Sequence, residues 1–303
     1  MTAGVAGVAA EAGDSAAGIA AGAAADPAAA WLRRGTVGAR ALQDAGRAAG
    51  VIEIRAQPPQ ADAHAAAEAA GARPAYWKDL LWQDATRDFA DAALLRGRLA
   101  DLGIDPDGLI AVYGEHRQYG FYARWAMRHA GLPGVVVLED PQALAHPPAG
   151  AAARLAAGSL PALPQPRRAF KQDVLDALAD PSVQIVDARS REEYDGYRVS
   201  PAGGFDHGAE RAGHVPGAIH LHYQDFLDEA GRLRPDDALR AAAGRAGLRP
   251  ERPVIAYCRL SHRASLVAFV LQERLGYADV RLYDGSWTEW GSSVGTPIVH
   301  HRR

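Results

Sequence analysis

The single cysteine of the chain, Cys258, stands where a reactive thiol is expected. It directly follows the apolar run at residues 253–257, and a helical pattern begins after residue 264. A loop between a strand end and a helix start turns backbone N–H groups inward, and the helix dipole adds partial positive charge. Such a loop stabilises an anion or a thiolate. The spacing therefore predicts a nucleophilic cysteine.

Cationic side chains follow the cysteine closely, at Arg259, His262 and Arg263. A thiol beside cationic groups ionises more readily, and the thiolate is the nucleophilic form. The alternative is a small buried apolar residue, which describes most free cysteines. Because cationic groups are poor neighbours for an apolar core, the loop favours the reactive cysteine.

Composition bounds the class of protein. The chain has 303 residues, of which 48% are apolar and 23% charged, and this predicts ordinary folded cores in two domains. A net charge of −3 provides no broad basic surface, so we expect no nucleic-acid partner. One cysteine excludes an internal disulfide and any multi-cysteine metal site, and we expect no metal or cofactor. We expect a cytoplasmic protein without a membrane-spanning helix.

Apolar periodicity predicts short buried strands that alternate with amphipathic helices. This is the pattern of βα units around a mostly parallel sheet, and the predicted fold class is therefore α/β. The predicted elements are strands at residues 51–54, 109–113, 183–187, 253–257 and 278–283, and helices at residues 121–129 and 265–275.

The two halves of the chain repeat each other. Laid over one another, they pair residues 111–114 with residues 255–258, and residues 71–72 with residues 217–218, at nearly equal offsets. This internal duplication predicts two similar domains in tandem. Gly114 takes the place of the cysteine in the first half, so only the second domain has a nucleophile.

Composition also predicts the domain boundaries. Residues 1–30 are rich in Ala and Gly and are expected to form a disordered tail, and residues 146–167 are rich in Pro and Ala and are expected to form an extended linker. The first domain then covers residues 31–145 and is catalytically inactive, and the catalytic domain covers residues 168–303.

Motifs in the second half carry a family resemblance. They are residues 185–190 (IVDARS) with 193–194 (EY), 213–219 (GHVPGAI), 257–259 (YCR) and 280–290 (VRLYDGSWTEW). Together they resemble the two-domain rhodaneses, a family of thiosulfate and 3-mercaptopyruvate sulfurtransferases, and most closely the bacterial thiosulfate sulfurtransferases. The last motif is the most specific. The first half is similar to the cysteine-free domain of that family, with two tandem rhodanese-like domains as the implied architecture.

The resemblance implies a double displacement. The Cys258 thiolate takes the outer sulfur of a donor, and the resulting persulfide passes it to an acceptor such as cyanide or a thiol. Arg259 corresponds to a position that favours thiosulfate when basic, whereas the mercaptopyruvate enzymes typically carry glycine there. The implied substrate-binding residues, whose backbone would stabilise the persulfide, are Arg259, Leu260, Ser261, His262, Arg263 and Ala264.

Some positions depart from the family pattern. Ser261 replaces a common glycine, Leu260 replaces the substrate-binding lysine of animal rhodaneses, and Glu193 replaces their second substrate-binding arginine. We expect Arg263 to take over part of that arginine's role, and Ser261 to change the backbone path or to add a hydroxyl donor.

The supporting residues implied by the resemblance are Asp187, Arg189 and Glu193. Asp187 and Arg189 follow the first strand of the second half, and two roles remain open for them. They face a ligand at the carboxyl edge of the sheet, or they form an ion pair that fixes the turn.

Two rival functions come from other classes. A phosphatase of the cell-cycle type shares this fold but needs an arginine where this chain has Ala264, so that function is disfavoured. A non-catalytic module that relays sulfur or senses redox state through Cys258 is the second rival. The expected partners are a small-molecule sulfur donor and acceptor, and the expected state is a monomer or weak homodimer.

Overall fold

The computed structural model describes residues 27–44, 49–144 and 161–300, in two halves. The first half contains α1 (Pro27–Arg34), β1 (Thr36–Val37), α2 (Ala39–Asp44), β2 (Gly50–Arg55), α3 (Ala61–Ala69), β3 (Arg73–Tyr76), α4 (Trp77–Leu81), β4 (Trp82–Gln83), β5 (Asp88–Phe89), α5 (Ala92–Asp101), β6 (Ile110–Gly114), α6 (Arg117–His129) and β7 (Val135–Leu138). The second half contains β8 (Arg167–Ala169), α7 (Lys171–Ala177), β9 (Gln184–Asp187), α8 (Arg191–Tyr194), β10 (Ile219–His220), α9 (Asp236–Arg245), β11 (Val254–Tyr257), α10 (His262–Phe269), a π-helix (Val270–Arg274), β12 (Val280–Tyr283) and α11 (Ser286–Trp290).

Each half is built on a five-stranded sheet, and the two sheets have the same topology. The strand orders are β1-β7-β6-β2-β3 and β8-β12-β11-β9-β10, and every neighbouring pair is parallel. Strands β6 and β11 hold equivalent positions at the centre of their sheets. The structure thus confirms the α/β class and the tandem duplication.

A pair of glycines at equivalent positions in the two halves also supports the duplication. Gly71 precedes the edge strand β3 with φ of 78°, and Gly217 precedes the edge strand β10 with φ of 74°. Both lie in the left-handed region that favours glycine. The two halves therefore turn into their edge strands in the same way.

The predicted strands agree with the structure to within two residues, and the boundaries need correction at four places. Helix α6 begins at Arg117 instead of residue 121. Helix α10 begins at His262 instead of residue 265, and a π-helix follows it from Val270. Helix α1 begins at Pro27, so the predicted tail ends before residue 30. Strand β8 begins at Arg167 inside the predicted linker, whose residues 146–160 lie outside the described part of the chain, as do residues 1–26 of the tail.

Helices α6 and α10 pack against each other and join the two halves. The apolar side chains on their sides of both sheets form one continuous buried cluster, which runs from Ile52 in β2 to Leu282 in β12. Each sheet has a separate cluster on its other face. The loops that precede α6 and α10 are consequently brought together.

A buried ion cluster fixes the same interface. Glu273 of the π-helix accepts hydrogen bonds from Arg124 at 2.5 and 2.8 Å and from Arg128 at 2.9 Å, and all of these side chains are buried. Burial and the neighbouring Arg124 lower the pKa of Arg128 to about 10. Across the described ranges, we find no helix with the length and apolar content to cross a bilayer.

Candidate active site

The chain turns sharply between Cys258 and helix α10. Cys258 follows the fully buried strand β11, and Ser261 adopts a left-handed conformation with φ of 70°. Ser261 also accepts a hydrogen bond at its carbonyl from Ser265 N–H, at 2.8 Å, which starts the helix. The loop is therefore shorter than the sequence predicted, because His262 and Ala264 already belong to the first turn of α10.

The Ser261 hydroxyl is used inside the protein. It donates to the carbonyl of Asp284 at 2.7 Å and lies 3.2 Å from Ser286 Oγ, and Ser261 is completely buried. This corrects its expected role as a substrate-binding hydroxyl. The serine takes the left-handed conformation that usually favours glycine, and its hydrogen bonds offset the backbone strain.

The motif at residues 280–290 holds the loop from behind. Ser286 Oγ accepts a hydrogen bond from Cys258 N–H at 3.2 Å, and Trp287 N–H donates to the Cys258 carbonyl at 2.9 Å. Thr288 donates to the Arg259 carbonyl from both its N–H, at 3.2 Å, and its hydroxyl, at 2.9 Å. The most specific motif of the sequence thus fixes the loop that carries the cysteine.

These hydrogen bonds from the motif at residues 280–290 turn the N–H groups of the cysteine loop away from that motif. In a trans peptide the C=O and N–H groups point in opposite directions, so the N–H groups of Arg259 and Leu260 face away from Trp287 and Thr288. Among the described residues, the N–H groups at positions 259–264 have no hydrogen-bond acceptor. Buried N–H groups are normally paired, so this set forms a cradle ready to bind an anionic atom.

Cys258 lies at a cavity of about 340 Å³ between the two halves, and its side chain is 1% exposed. Of the residues singled out from the sequence, those that line the cavity are Cys258, Arg259, Leu260, His262, Arg263 and Glu193. Ser261, Ala264, Asp187 and Arg189 are buried behind the wall.

Arg259 supplies the uncompensated positive charge of the cavity. Its Nε donates to the His207 carbonyl at 3.2 Å, and no carboxylate of the described residues lies within ion-pair distance of it. Burial lowers the pKa of Arg259 from its usual value, and the positive charge of Arg263 adds to this effect. An arginine stays protonated in any case, so a half-buried cation is available to an anionic ligand.

Arg263, by contrast, is paired. Its two terminal nitrogens donate to the carboxylate of Glu193 at 2.6 and 2.8 Å in a buried bidentate ion pair. Burial alone would raise the pKa of Glu193, but the hydrogen bonds and charge of Arg263 hold it below its usual value. Arg263 therefore stands at the cavity wall with its charge balanced, which limits the substrate-binding role expected for it.

His262 is not a cation in this site. Burial lowers its pKa to about 3, and the charges of Arg263 and Arg259 act in the same direction. Its ring lies 4.4 to 4.6 Å from those of Trp77, Tyr119 and Tyr122 of the first half, and its Nε2 has no partner among the described residues. The sequence-based view of His262 as a cationic neighbour of the cysteine is wrong, because the first half encloses it.

Asp187 and Arg189 form an ion pair that fixes the turn after β9. Arg189 Nη2 donates to Asp187 at 2.6 Å and to the Gly213 carbonyl at 2.6 Å, and Tyr257 donates its hydroxyl to Asp187 at 2.7 Å. Burial would raise the pKa of Asp187, but the charge of Arg189 keeps it low. Both side chains are fully buried. Of the two roles that the sequence left open, the structure therefore supports the ion pair that fixes the turn and not contact with a ligand.

Residues of the first half that the sequence did not point to also line the cavity, at Gln118 and Tyr119. They lie in the first turn of α6, and the internal repeat makes Tyr119 the counterpart of Arg263. Burial, with Glu115 nearby, raises the pKa of Tyr119 to about 12, so its phenol remains a hydrogen-bond donor. The other residues missed are Ser190, Glu192, Pro201, Ala202, His222, Tyr223 and Gln224.

A neighbouring cavity of about 370 Å³ lies at the matching edge of the first sheet, around Gly114. A Cβ built on Gly114 would lie 2.6 Å from the His116 carbonyl oxygen, so no side chain fits there. This cavity is slightly larger, but Cys258 lies in the other one. Across the described residues, no group of His, Cys, Asp and Glu side chains is arranged to hold a metal ion.

Comparisons with known proteins find one matching family model and several similar chains. Residues 170–293 match the rhodanese-like domain family. A protein of Saccharopolyspora erythraea named "Putative thiosulfate sulfurtransferase" is 35% identical over 73% of this chain and 81% of its own length. The "Sulfur carrier protein TtuD" of Thermus thermophilus is 30% identical over 76% of this chain and 84% of its own length.

Solved structures share the fold. The anaerobic ergothioneine biosynthesis enzyme from Chlorobium limicola, in complex with trimethyl histidine, superimposes with a TM-score of 0.68 at 19% identity, over 89% of this chain and 71% of that one. YnjE superimposes with a TM-score of 0.63 at 21% identity, over 84% of this chain and 63% of that one. At these identities the likeness concerns the fold alone.

Proposed function

The chain belongs to the rhodanese family of sulfurtransferases, and we propose that it transfers the sulfane sulfur of thiosulfate to a thiophilic acceptor through a persulfide on Cys258. The observation that carries this proposal is the cradle of unpaired N–H groups around the only thiol, with the uncompensated cation Arg259 at the same cavity. A dianionic donor and an anionic persulfide both match that arrangement.

The first displacement forms the persulfide. The Cys258 thiolate attacks the outer sulfur of thiosulfate, the S–S bond of the donor breaks, and sulfite leaves with the electron pair of that bond. The product is a persulfide anion on Cys258. The N–H groups at positions 259–264 stabilise the charge on its outer sulfur, as an oxyanion hole stabilises a developing charge.

The second displacement regenerates the thiolate. A nucleophilic acceptor such as cyanide or a thiolate attacks the outer sulfur, a new bond to that sulfur forms, and the Cys258 thiolate leaves with the electron pair. No external oxidant or reductant is consumed. Tyr119, which stays protonated, supplies a neutral hydrogen-bond donor at the cavity from the first half.

Mass spectrometry of the intact protein tests this proposal. Thiosulfate treatment is expected to add one sulfur atom, which cyanide or a thiol reductant removes. Turnover is then measured with cyanide as the common acceptor, and we expect a larger kcat/KM with thiosulfate than with mercaptopyruvate. No added sulfur would contradict the proposal, and a preference for mercaptopyruvate would favour the 3-mercaptopyruvate sulfurtransferase alternative.

A second candidate is a sulfur relay without multiple turnover. Two observations favour it: a relative is named a sulfur carrier protein, and the Glu193 pairing leaves Arg259 as the uncompensated cation of the described cavity wall. A relay would take up one sulfur yet release it slowly to cyanide. Rates of persulfide formation and of its discharge, measured separately, distinguish the two candidates.

A further inference from the structure

The loop at residues 199–208 forms one wall of the cavity and contacts the guanidinium of Arg259. Pro201 and Ala202 line the cavity. The His207 carbonyl accepts the hydrogen bond from Arg259 Nε, at 3.2 Å. Gly208 lies directly against the guanidinium group. This loop comes from between α8 and β10, far in sequence from the cysteine.

The contact at Gly208 leaves no room for a Cβ unless the Arg259 guanidinium moves. A Cβ built on Gly208 would lie 2.5 Å from Arg259 Nη2, 2.7 Å from Nε and 2.9 Å from Cζ, whereas real Cβ contacts essentially never fall under 3.0 Å. Its φ of 109° also lies outside the range that other residues readily adopt. A side chain at this position would therefore push the guanidinium away.

The loop is also braced from within, directly before the residues that contact Arg259. Asp206 Oδ1 accepts hydrogen bonds from Val199 N–H at 2.9 Å, Ser200 N–H at 2.9 Å and the Ser200 hydroxyl at 3.0 Å. Arg198 donates to the carbonyls of Ser200 and Pro201. These bonds close the segment from Val199 to Asp206, which ends two residues before Gly208.

We infer that this loop is the element that positions Arg259 for an anionic sulfur donor, and that Gly208 is a positioning residue which sets donor preference. The inference rests on the proposed function. The His207 carbonyl accepts from Nε, and Gly208 lies beside the Nε and Nη2 edge of the guanidinium. The terminal nitrogens have no hydrogen-bond acceptor among the described residues, so they remain for the ligand. A dianionic donor such as thiosulfate depends on this cation more than a monoanionic one.

The test is a set of matched alanine variants. Gly208→Ala is expected to lower kcat/KM for thiosulfate by about tenfold, the lower end of the effect of a hydrogen bond to a charged group, mainly through KM, and to spare mercaptopyruvate. Gly204→Ala is the control, because no atom lies within 4 Å of a Cβ at that position and its φ is not in the left-handed region. It should leave both donors unaffected.

A double-mutant cycle separates positioning of Arg259 from loop damage. In an Arg259→Gly background, Gly208→Ala should cause no further loss for thiosulfate, because the group that it displaces is absent. Asp206→Ala, which loosens the loop without touching the guanidinium, should reproduce the donor-selective loss in part. Full additivity in the cycle, or an equal loss for both donors, would overturn the inference.

Ligand binding distinguishes this inference from the proposed function. If the unmodified protein fails to turn over thiosulfate, the proposed function fails by itself. Calorimetric binding of thiosulfate to Cys258→Ser protein, with and without Gly208→Ala, then decides the positioning role. Weaker binding with Gly208→Ala supports it, and equal affinity contradicts it.

Discussion

Replacing His262 with phenylalanine should change how the stability of the protein depends on pH. The imidazole is enclosed by Trp77, Tyr119 and Tyr122, its Nε2 lacks a partner in the described structure, and burial holds its pKa at about 3. In the unfolded chain the same group titrates near its usual value of 6.5. Phenylalanine has a similar shape and does not titrate.

The sign and size of the effect follow from proton linkage. Well above pH 6.5 the imidazole is neutral in both the folded and the unfolded state and contributes nothing to the pH dependence. Below that value His262 is protonated in the unfolded chain but not in the folded protein, so the free energy of unfolding falls as the pH falls. One pKa unit corresponds to about 1.4 kcal/mol, so the loss reaches roughly 0.8 kcal/mol at pH 6 and about 2 kcal/mol at pH 5.

Urea denaturation at pH 7, 6 and 5 measures this loss. The difference in unfolding free energy between His262→Phe and the unmodified protein should grow in favour of the variant by about 2 kcal/mol from pH 7 to pH 5. At pH 7 the variant should be close to neutral, because an unpartnered buried nitrogen is removed. A constant difference across the three pH values would refute the assignment of a neutral, enclosed imidazole.

Four further outcomes are expected. Cys258→Ser should abolish sulfur transfer and persulfide formation without changing the melting temperature, since an alcohol is far less nucleophilic; retained turnover would contradict the role of the thiol. Arg259→Gly should cost thiosulfate activity about 1.5 to 3 kcal/mol and spare mercaptopyruvate, and kcat/KM for both donors checks this. Glu193→Gln should cost about 3 kcal/mol in urea denaturation, because it leaves Arg263 buried without its counter-charge, and a cost under ~1 kcal/mol would argue against a buried pair. The full chain should carry one persulfide by mass spectrometry, and residues 165–303 alone should fold poorly or transfer sulfur slowly; two persulfides or an equally active fragment would contradict the architectural role of the first half.

The local sequence pattern was sufficient for the central strands of both sheets and for the place of the only thiol after one of them. Runs of apolar residues such as that of β11 are buried on both faces of a parallel sheet, so their position and length follow from periodicity. The duplication was visible because both halves keep the same glycine turns and the same central strand. The motif at residues 280–290 carried the most specific part of the family resemblance, but its hydrogen bonds to the Cys258 loop depend on tertiary contacts.

Charge balance within the site depended on contacts between distant segments. The sequence shows Arg263 and His262 beside the cysteine, but Glu193 lies far from them along the chain, and so do the aromatic side chains that enclose His262. Whether a nearby basic residue acts as a cation depends on its burial and partners, which periodicity does not specify. Arg259 kept its predicted place at the cavity, and its neighbour Gly208 gave no signal in the sequence.

The sequence by itself determined the α/β class, the duplication and the single thiol at the carboxyl end of a central strand, because these depend on residue types and on spacing along one chain. Only the tertiary structure decided which cation faces the cavity and that the first half completes its wall. Those features arise where α6 packs on α10 and where the loop at residues 199–208 folds over Arg259. Contacts of this kind join segments whose distance along the chain carries no periodic signal, so they exist only once the chain has folded.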